Sequence, residues 1–409
     1  MKAVGHRNKL LIVQPFASGH HMSLYVRMAV LAGRKLGIES GLLTYESSSR
    51  HEAFKSVVSE FGHALAIHLM PDPPPSGGRG RLKIIKEQFA LYKAIGRAVE
   101  AIGDNRYGMV WLANLEQIDI AFALRGSPFG DAAVYGLHMT LDFHRPMVGT
   151  SNLVRNASAK MAAFAFLLRR EKLKRVALID ESYFLSKNVM RWWIEPVDKV
   201  SFVPDVGMLR DIGSAGSTLR STLGIEPDRF VVLVYGGITV RKKVADLLAA
   251  LTDARLKHCA LVLAGRIDES VQDELATDAA RKMRAEHRLF EINRFVDTNL
   301  ESLLFNMADL VSVLYTRDFS GSSGVMYQAA AAGKPFLSDH SGVIGWVCRR
   351  SGAGITVNGD NREDIVRALL EVSEKPEVYR AMAERAVRLA RLHSEEAHVI
   401  ALVQALQSG

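Results

Sequence analysis

Short apolar runs of strand length alternate with helix-spaced apolar residues along this chain, and the alternation is written twice. In the first half Leu10–Pro15, Ser40–Tyr45, Met109–Leu112, Ala132–Gly136 and Val176–Asp180 read as buried strands. Leu24, Met28, Leu31 and Leu36 fall at helical spacing between the first two, and Gly37 stops that helix. In the second half Phe230–Tyr235, Ala260–Ala264, Leu289–Ile292, Leu310–Tyr315 and Pro335–Ser338 repeat the rhythm, and charged helices close the chain from Arg362 to Gln407. Parallel strands need a long crossover, and a helix is the usual one. The pattern therefore predicts an α/β chain of doubly wound parallel sheets with helices on both faces.

With 409 residues the chain exceeds what one core organises. The rhythm breaks around Trp192–Pro196 and resumes at Val200–Pro204. This predicts an N-terminal domain over 1–196, a second domain over 197–385, and a closing helix over 386–409 that packs back toward the first. No apolar run approaches the roughly 18 residues of a spanning helix. The N-terminus enters the Leu10–Val13 strand without the apolar core of a signal peptide, so a cytoplasmic protein is expected. Cys259 and Cys348 have no metal or disulfide-framework spacing and read as plain buried thiols. The net charge of +8 favours anionic partners: nucleic acid, a membrane surface or a phosphorylated small molecule. No aromatic-basic motif supports nucleic acid, which is not expected as a partner.

In doubly wound sheets, ligands bind where strands end and helix N-termini point. Ser320-Gly321-Ser322-Ser323-Gly324 lies between the strand at 310–315 and an Ala-rich helix ending at Gly333. Its backbone N–H groups and hydroxyls suit a diphosphate; alternatively, Ser322 or Ser323 simply caps the helix. Tyr235–Lys243 also follows a strand. Gly236 and Gly237 let backbone approach a ligand, and Arg241, Lys242 and Lys243 can neutralise phosphate. A solvated basic helix start is the plainer alternative, mildly disfavoured by the helix dipole. Gly19-His20 follows the first strand, and His138, at the end of Val134–His138, can equally be a satisfied structural residue. The chain has no D-x-D triplet, no metal-spaced His/Asp/Glu cluster and no G-x-G-x-x-G, so no metal and no nicotinamide cofactor are expected.

The order and spacing of these segments resemble the GT-B nucleotide-sugar glycosyltransferases of the group 1, family 4-like kind. Their donor motif G-x-L/I-x-x-x-K-G falls on Gly236–Lys242, with Lys242 at the diphosphate-binding lysine. Lys243 replaces the following glycine, and Gly237 stands where many relatives carry arginine, so Arg241 is the substitute cation. Leu261–Gly265, followed by Arg266, matches the next strand and glycine, and Arg294-Phe295-Val296 matches the strand end facing the nucleobase. Gln328–Pro335 fits E-A-x-A-x-G-x-P, but Ser320 and Gln328 occupy the places of the family's two glutamates. An amide at Gln328 can still bond a ribose hydroxyl. In the first half Gly19-His20 matches the glycine loop, and His138 the histidine that reaches the transferred sugar, with His144 close by in sequence on the acceptor side.

The resemblance implies two Rossmann-like domains facing across a cleft and a metal-independent hexosyltransferase. It implies transfer from a nucleoside-diphosphate sugar to a saccharide or lipid-linked acceptor hydroxyl, with retention, in cell-surface polysaccharide or glycolipid synthesis. Because both glutamates are missing, a non-catalytic relative that binds a nucleotide sugar or supports a partner enzyme is the alternative. An epimerase would need an acid/base pair facing the sugar, and no convincing carboxylate pair is evident. Basic helices read at Lys83–Arg97 and Arg169–Arg175 mix cations with apolar residues. They either dock on an anionic inner membrane face or are ordinary amphipathic helices facing solvent.

Overall fold

The computed structural model describes residues 9–17, 21–73, 81–103, 106–139, 141, 143, 157–184, 197–209, 215–319 and 321–408. These form two compact units: the described residues of 9–143, 157–204 and 396–408, and those of 205–395.

The first unit is a parallel sheet of β1 (Lys9–Val13), β2 (Glu39–Tyr45), β3 (Leu65–Met70), β4 (Met109–Leu112), β5 (Ala133–His138), β6 (Leu173–Leu178) and β7 (Val200–Phe202), ordered β3-β2-β1-β4-β5-β6-β7. Successive side chains of a strand point to opposite faces, so each central strand feeds two cores. Leu11, Val13, Val110 and Leu112 pack with Leu91, Ile95 and Val99 of the helix Arg81–Ile102 on one face. Leu10, Ile12 and Trp111 pack with Met28, Val30 and Leu402 on the other.

Two expectations change here. The strand following 196 pairs with β6, Val176 opposite Val200, so the first sheet continues past the expected boundary and the second unit starts at 205. Likewise the helix Pro376–Leu392 stays with the second core through Ala386 and Leu389, and the chain rejoins the first unit at Glu396 rather than 386. The run at 169–175 is not a helix. The helix Ala157–Leu168 has ended, a turn follows, and β6 begins at Leu173. Three of its five cations bond within the unit: Arg170 donates to the Ala123 carbonyl (2.6 Å), Lys172 pairs with Asp131 (2.7 Å), and Arg175 donates to the carbonyls of Asp198 and Ser408.

The second unit is a six-stranded parallel sheet of β8 (Phe230–Tyr235), β9 (Cys259–Ala264), β10 (Leu289–Ile292), β11 (Leu310–Val313), β12 (Phe336–Asp339) and β13 (Gly354–Val357). Its order is β10-β9-β8-β11-β12-β13. β8 and β9 are buried almost throughout, as strands covered on both faces must be. Cys259 and Cys348 are buried and free; burial pushes both thiols up to about 12, which makes them poor nucleophiles. Among the described residues no helix is long and apolar enough to cross a membrane.

Candidate functional site

In the second sheet the strand order reverses direction between β8 and β11, so the loops leaving these two strands flank the natural ligand crevice. The loop after β8 is shaped by two glycines. Gly236 has φ 93° and Gly265 has φ 132°, and a Cβ on Gly265 would lie 2.0 Å from the Gly236 carbonyl oxygen. Only glycine fits there. Ile238 N donates to the Arg266 carbonyl (2.9 Å), extending the β8–β9 pairing beyond the strands and leaving Gly237 exposed.

The chain then tightens into one 3-10 turn, Val240–Lys242, which folds the Lys242 side chain back beneath it. Lys242 is 4% exposed. Its Nζ donates to the Tyr235 carbonyl (2.6 Å), lies 3.4 Å from the Tyr315 hydroxyl, and sits 5.1 Å from the centre of the Tyr315 ring. Lys242 makes no ion pair among the described residues. Lys243 differs: it takes a left-handed φ of 50° and pairs with Asp360 and with Asp246 (3.3 Å). Arg241 is exposed, with its guanidinium 5.3 Å from the Phe319 ring centre. Of the three cations, one is buried without a counter-charge, one is already neutralised and one lies at the surface.

The loop after β11 meets this turn. Tyr315 stacks on Phe319 with ring centres 4.4 Å apart, and its hydroxyl lies 3.1 Å from Ser323 Oγ. Ser323 occupies the N-cap position of the helix Gly324–Ala331 but makes no side-chain cap bond, and Ser322 Oγ is enclosed without a partner among the described residues. Neither serine caps the helix, so among the described residues its first-turn N–H groups and positive dipole end have no side-chain acceptor. Lys242, Tyr315 and Ser323 thus form one connected cluster. Tyr315 also lines a small hollow with Phe319, Asp339, Ser341 and Gly342.

Gln328, on the same helix, is buried, and its Nε2 donates to Glu301 Oε1 (2.6 Å). The Tyr235 hydroxyl donates to the same oxygen (2.7 Å). Burial first, and Glu301 next, push the Tyr235 hydroxyl well up, so it remains a donor. Glu301 belongs to the helix Thr298–Met307 and is absent from the sequence-predicted site. A signal was present: it stands one turn before Leu304 and Phe305, a carboxylate in the apolar stripe of an amphipathic helix. Phe295 is 82% exposed past the end of β10, and Arg266 is exposed past β9; neither side chain bonds to another described residue.

In the first unit His138 ends β5 and is buried. Its Nδ1 lies 3.3 Å from Glu116 Oε2 and its Nε2 3.4 Å from Asp119 Oδ2. Both carboxylates are themselves fixed, Glu116 by Met139 N (2.8 Å) and Asp119 by Gln88 Nε2 (2.7 Å). When protonated, the ring can ion-pair with both. Gly19, His20, His144 and Ser320 lie outside the described residues.

The sequence model of the family described as glycosyl transferases group 1 matches residues 217–388, all within the second unit. No curated protein matches the chain significantly in sequence. Solved structures similar over the whole chain include sucrose-phosphate synthase from Thermosynechococcus elongatus, with 15% identity, TM-score 0.71 and 98% of each chain covered. Anabaena HepE, solved with UDP and glucose, is 14% identical with TM-score 0.68, covering 98% of this chain and 100% of its own. WaaG, a glycosyltransferase involved in lipopolysaccharide biosynthesis, is 14% identical with TM-score 0.65 at the same coverage. The chain carries a glycosyl transferases group 1 domain on a two-domain, Rossmann-like GT-B fold.

Proposed function

We propose that the chain moves a sugar from a nucleoside-diphosphate sugar to an acceptor hydroxyl, and that the diphosphate sits on Lys242 and the N-terminus of the helix Gly324–Ala331. The observation that carries this is the buried Lys242 ammonium without a counter-charge among the described residues. Such a cation costs several kcal/mol to bury, and a diphosphate would supply the missing charge. The enclosed Ser322 hydroxyl, Ser323, Gly324 and the exposed Gly237 backbone and Arg241 are the further donors. Preorganised donors of this kind act on the charge that develops as the diphosphate departs, without asking for a metal.

Gln328 then offers an acceptor to a ribose hydroxyl, with Phe295 and Arg266 on the nucleobase side. HepE has been solved with UDP-glucose, which supports the donor class. Retention follows if the donor phosphate takes the acceptor proton. We assign His138, Gly19, His20 and His144 to the sugar and acceptor side, Ser320 to the donor loop, and the reaction to cell-surface polysaccharide or glycolipid synthesis on the cytoplasmic side of a membrane.

A thermal-shift screen against UDP-, GDP-, ADP- and CMP-linked sugars tests the donor class. At least one diphosphate-linked donor should raise Tm; stabilisation by a CMP-linked sugar alone would overturn the diphosphate reading. The neutral amide at Gln328, tied to Glu301, favours one second reading, a binding protein without transferase activity. Nucleotide binding with neither hydrolysis nor transfer from any donor would decide for it.

A further inference from the structure

We infer that Glu301 is a positioning residue for donor recognition: it fixes the Gln328 amide so that the carbonyl oxygen, and not the NH2 group, faces the ligand. This rests on the proposed placement of a ribonucleotide beside Gln328. An ionised carboxylate only accepts hydrogen bonds. At 2.6 Å from Glu301 Oε1, the Gln328 terminal group must therefore be its donor nitrogen. Flipping the amide would bring two acceptor oxygens together in a buried setting and leave both unsatisfied.

Glu301 cannot turn away to relieve such a contact. Its Oε1 also takes the Tyr235 hydroxyl at 2.7 Å, and the Tyr235 ring packs edge-on against Phe305 with centres 5.0 Å apart. The three groups come from three elements: the end of β8, the helix Thr298–Met307 and the helix Gly324–Ala331. Among the described residues nothing donates to Gln328 Oε1. Gln328 thus presents an acceptor alone. Its complement is a hydroxyl, and the ribose diol supplies one where a 2′,3′-dideoxyribose does not. The carboxylate stands behind the amide, on the helix Thr298–Met307, and acts through it.

The test is calorimetric titration of the full chain with UDP, GDP and ADP and with their 2′,3′-dideoxy counterparts. Wild type should bind the ribose form about tenfold more tightly, the worth of one hydrogen bond. Glu301→Met should bring that ratio to about one while leaving dideoxy affinity unchanged. A merely structural role would lower both affinities together, and that outcome, or an unchanged ratio, would overturn the inference. Gln328→Glu alone sets two carboxylates against each other and should weaken ribose-form binding; adding Glu301→Gln should restore it. If Glu301→Met does not fold, this exchange decides, and a double variant no better than Gln328→Glu counts against the inference. Wild type binding none of the three nucleotides would overturn the donor reading and the inference with it. Binding with the ratio untouched by Glu301 would overturn the inference alone.

Discussion

Lys242 and Lys243 are neighbours of the same chemistry with opposite electrostatic situations. The turn Val240–Lys242 folds the first beneath the loop, and the left-handed φ at the second directs its ammonium to Asp246 and Asp360. A lysine pays a conformational cost there that glycine would not. Lys243→Gly and Lys243→Ala both lose the ion pairs, so urea unfolding of the two variants isolates the backbone contribution. Lys243→Gly should be the more stable by about 1 kcal/mol; equal midpoints would contradict the strain. At this scale Lys242 was legible, because its spacing from Gly236 follows a known motif. The division of roles among Arg241, Lys242 and Lys243 was not, since it depends on one backbone dihedral. Glu301 belongs to no motif, and only its place in the apolar face of the helix Thr298–Met307 sets it apart. The serines at 322 and 323 had two readings until side-chain direction separated them.

Among elements, the central strands were legible because burial on both faces demands unbroken apolar runs, as in Val231–Val234. β3 and β13 lie at sheet edges and are partly exposed, β3 interrupted by His68 and β13 by Thr356, and the pattern did not announce them. The cationic stretch at 169–175 reads as a helix by composition, but Arg170, Lys172 and Arg175 find carbonyl and carboxylate partners that periodicity does not encode. The helix Pro376–Leu392 carries a further consequence at its C-cap, His393. The His393 ring stacks on Tyr327 with centres 3.9 Å apart, its Nδ1 donates to the Asp205 carbonyl (2.8 Å), and burial pushes its pKa down to about 4. Neutral in the folded chain and protonated in the unfolded one below about pH 6.5, it contributes stability at neutral pH that is lost as pH falls toward 4. The loss should reach roughly 3 kcal/mol, since 1.36 kcal/mol accompanies each pKa unit. Denaturant midpoints at pH 7.0 and 4.5 should show a smaller drop for His393→Gln than for wild type; parallel drops would contradict the assignment.

The whole molecule repeats one plan, two parallel sheets that each run outward from a central pair of strands, and that plan was readable from the doubled rhythm of apolar runs. The family match falls only on the second unit, where the motifs are dense. For membrane docking, only the Lys83–Arg97 half of the expectation keeps a helix. That helix exposes Leu82 (74%) and Ile84 (55%) beside Lys83 and Lys86. Flotation with anionic vesicles should recover the protein, and Leu82→Ser with Ile84→Ser should reduce recovery about tenfold. Recovery independent of anionic lipid would remove the docking idea. The central claim is that a diphosphate completes the charge of Lys242. Calorimetric titration of UDP, GDP and ADP into wild type and Lys242→Ala tests it most directly. At least one should bind wild type and bind the variant about a hundredfold more weakly, the loss of one charge-assisted contact of about 3 kcal/mol, with Tm unchanged or higher. Equal affinity in the two proteins would contradict the account.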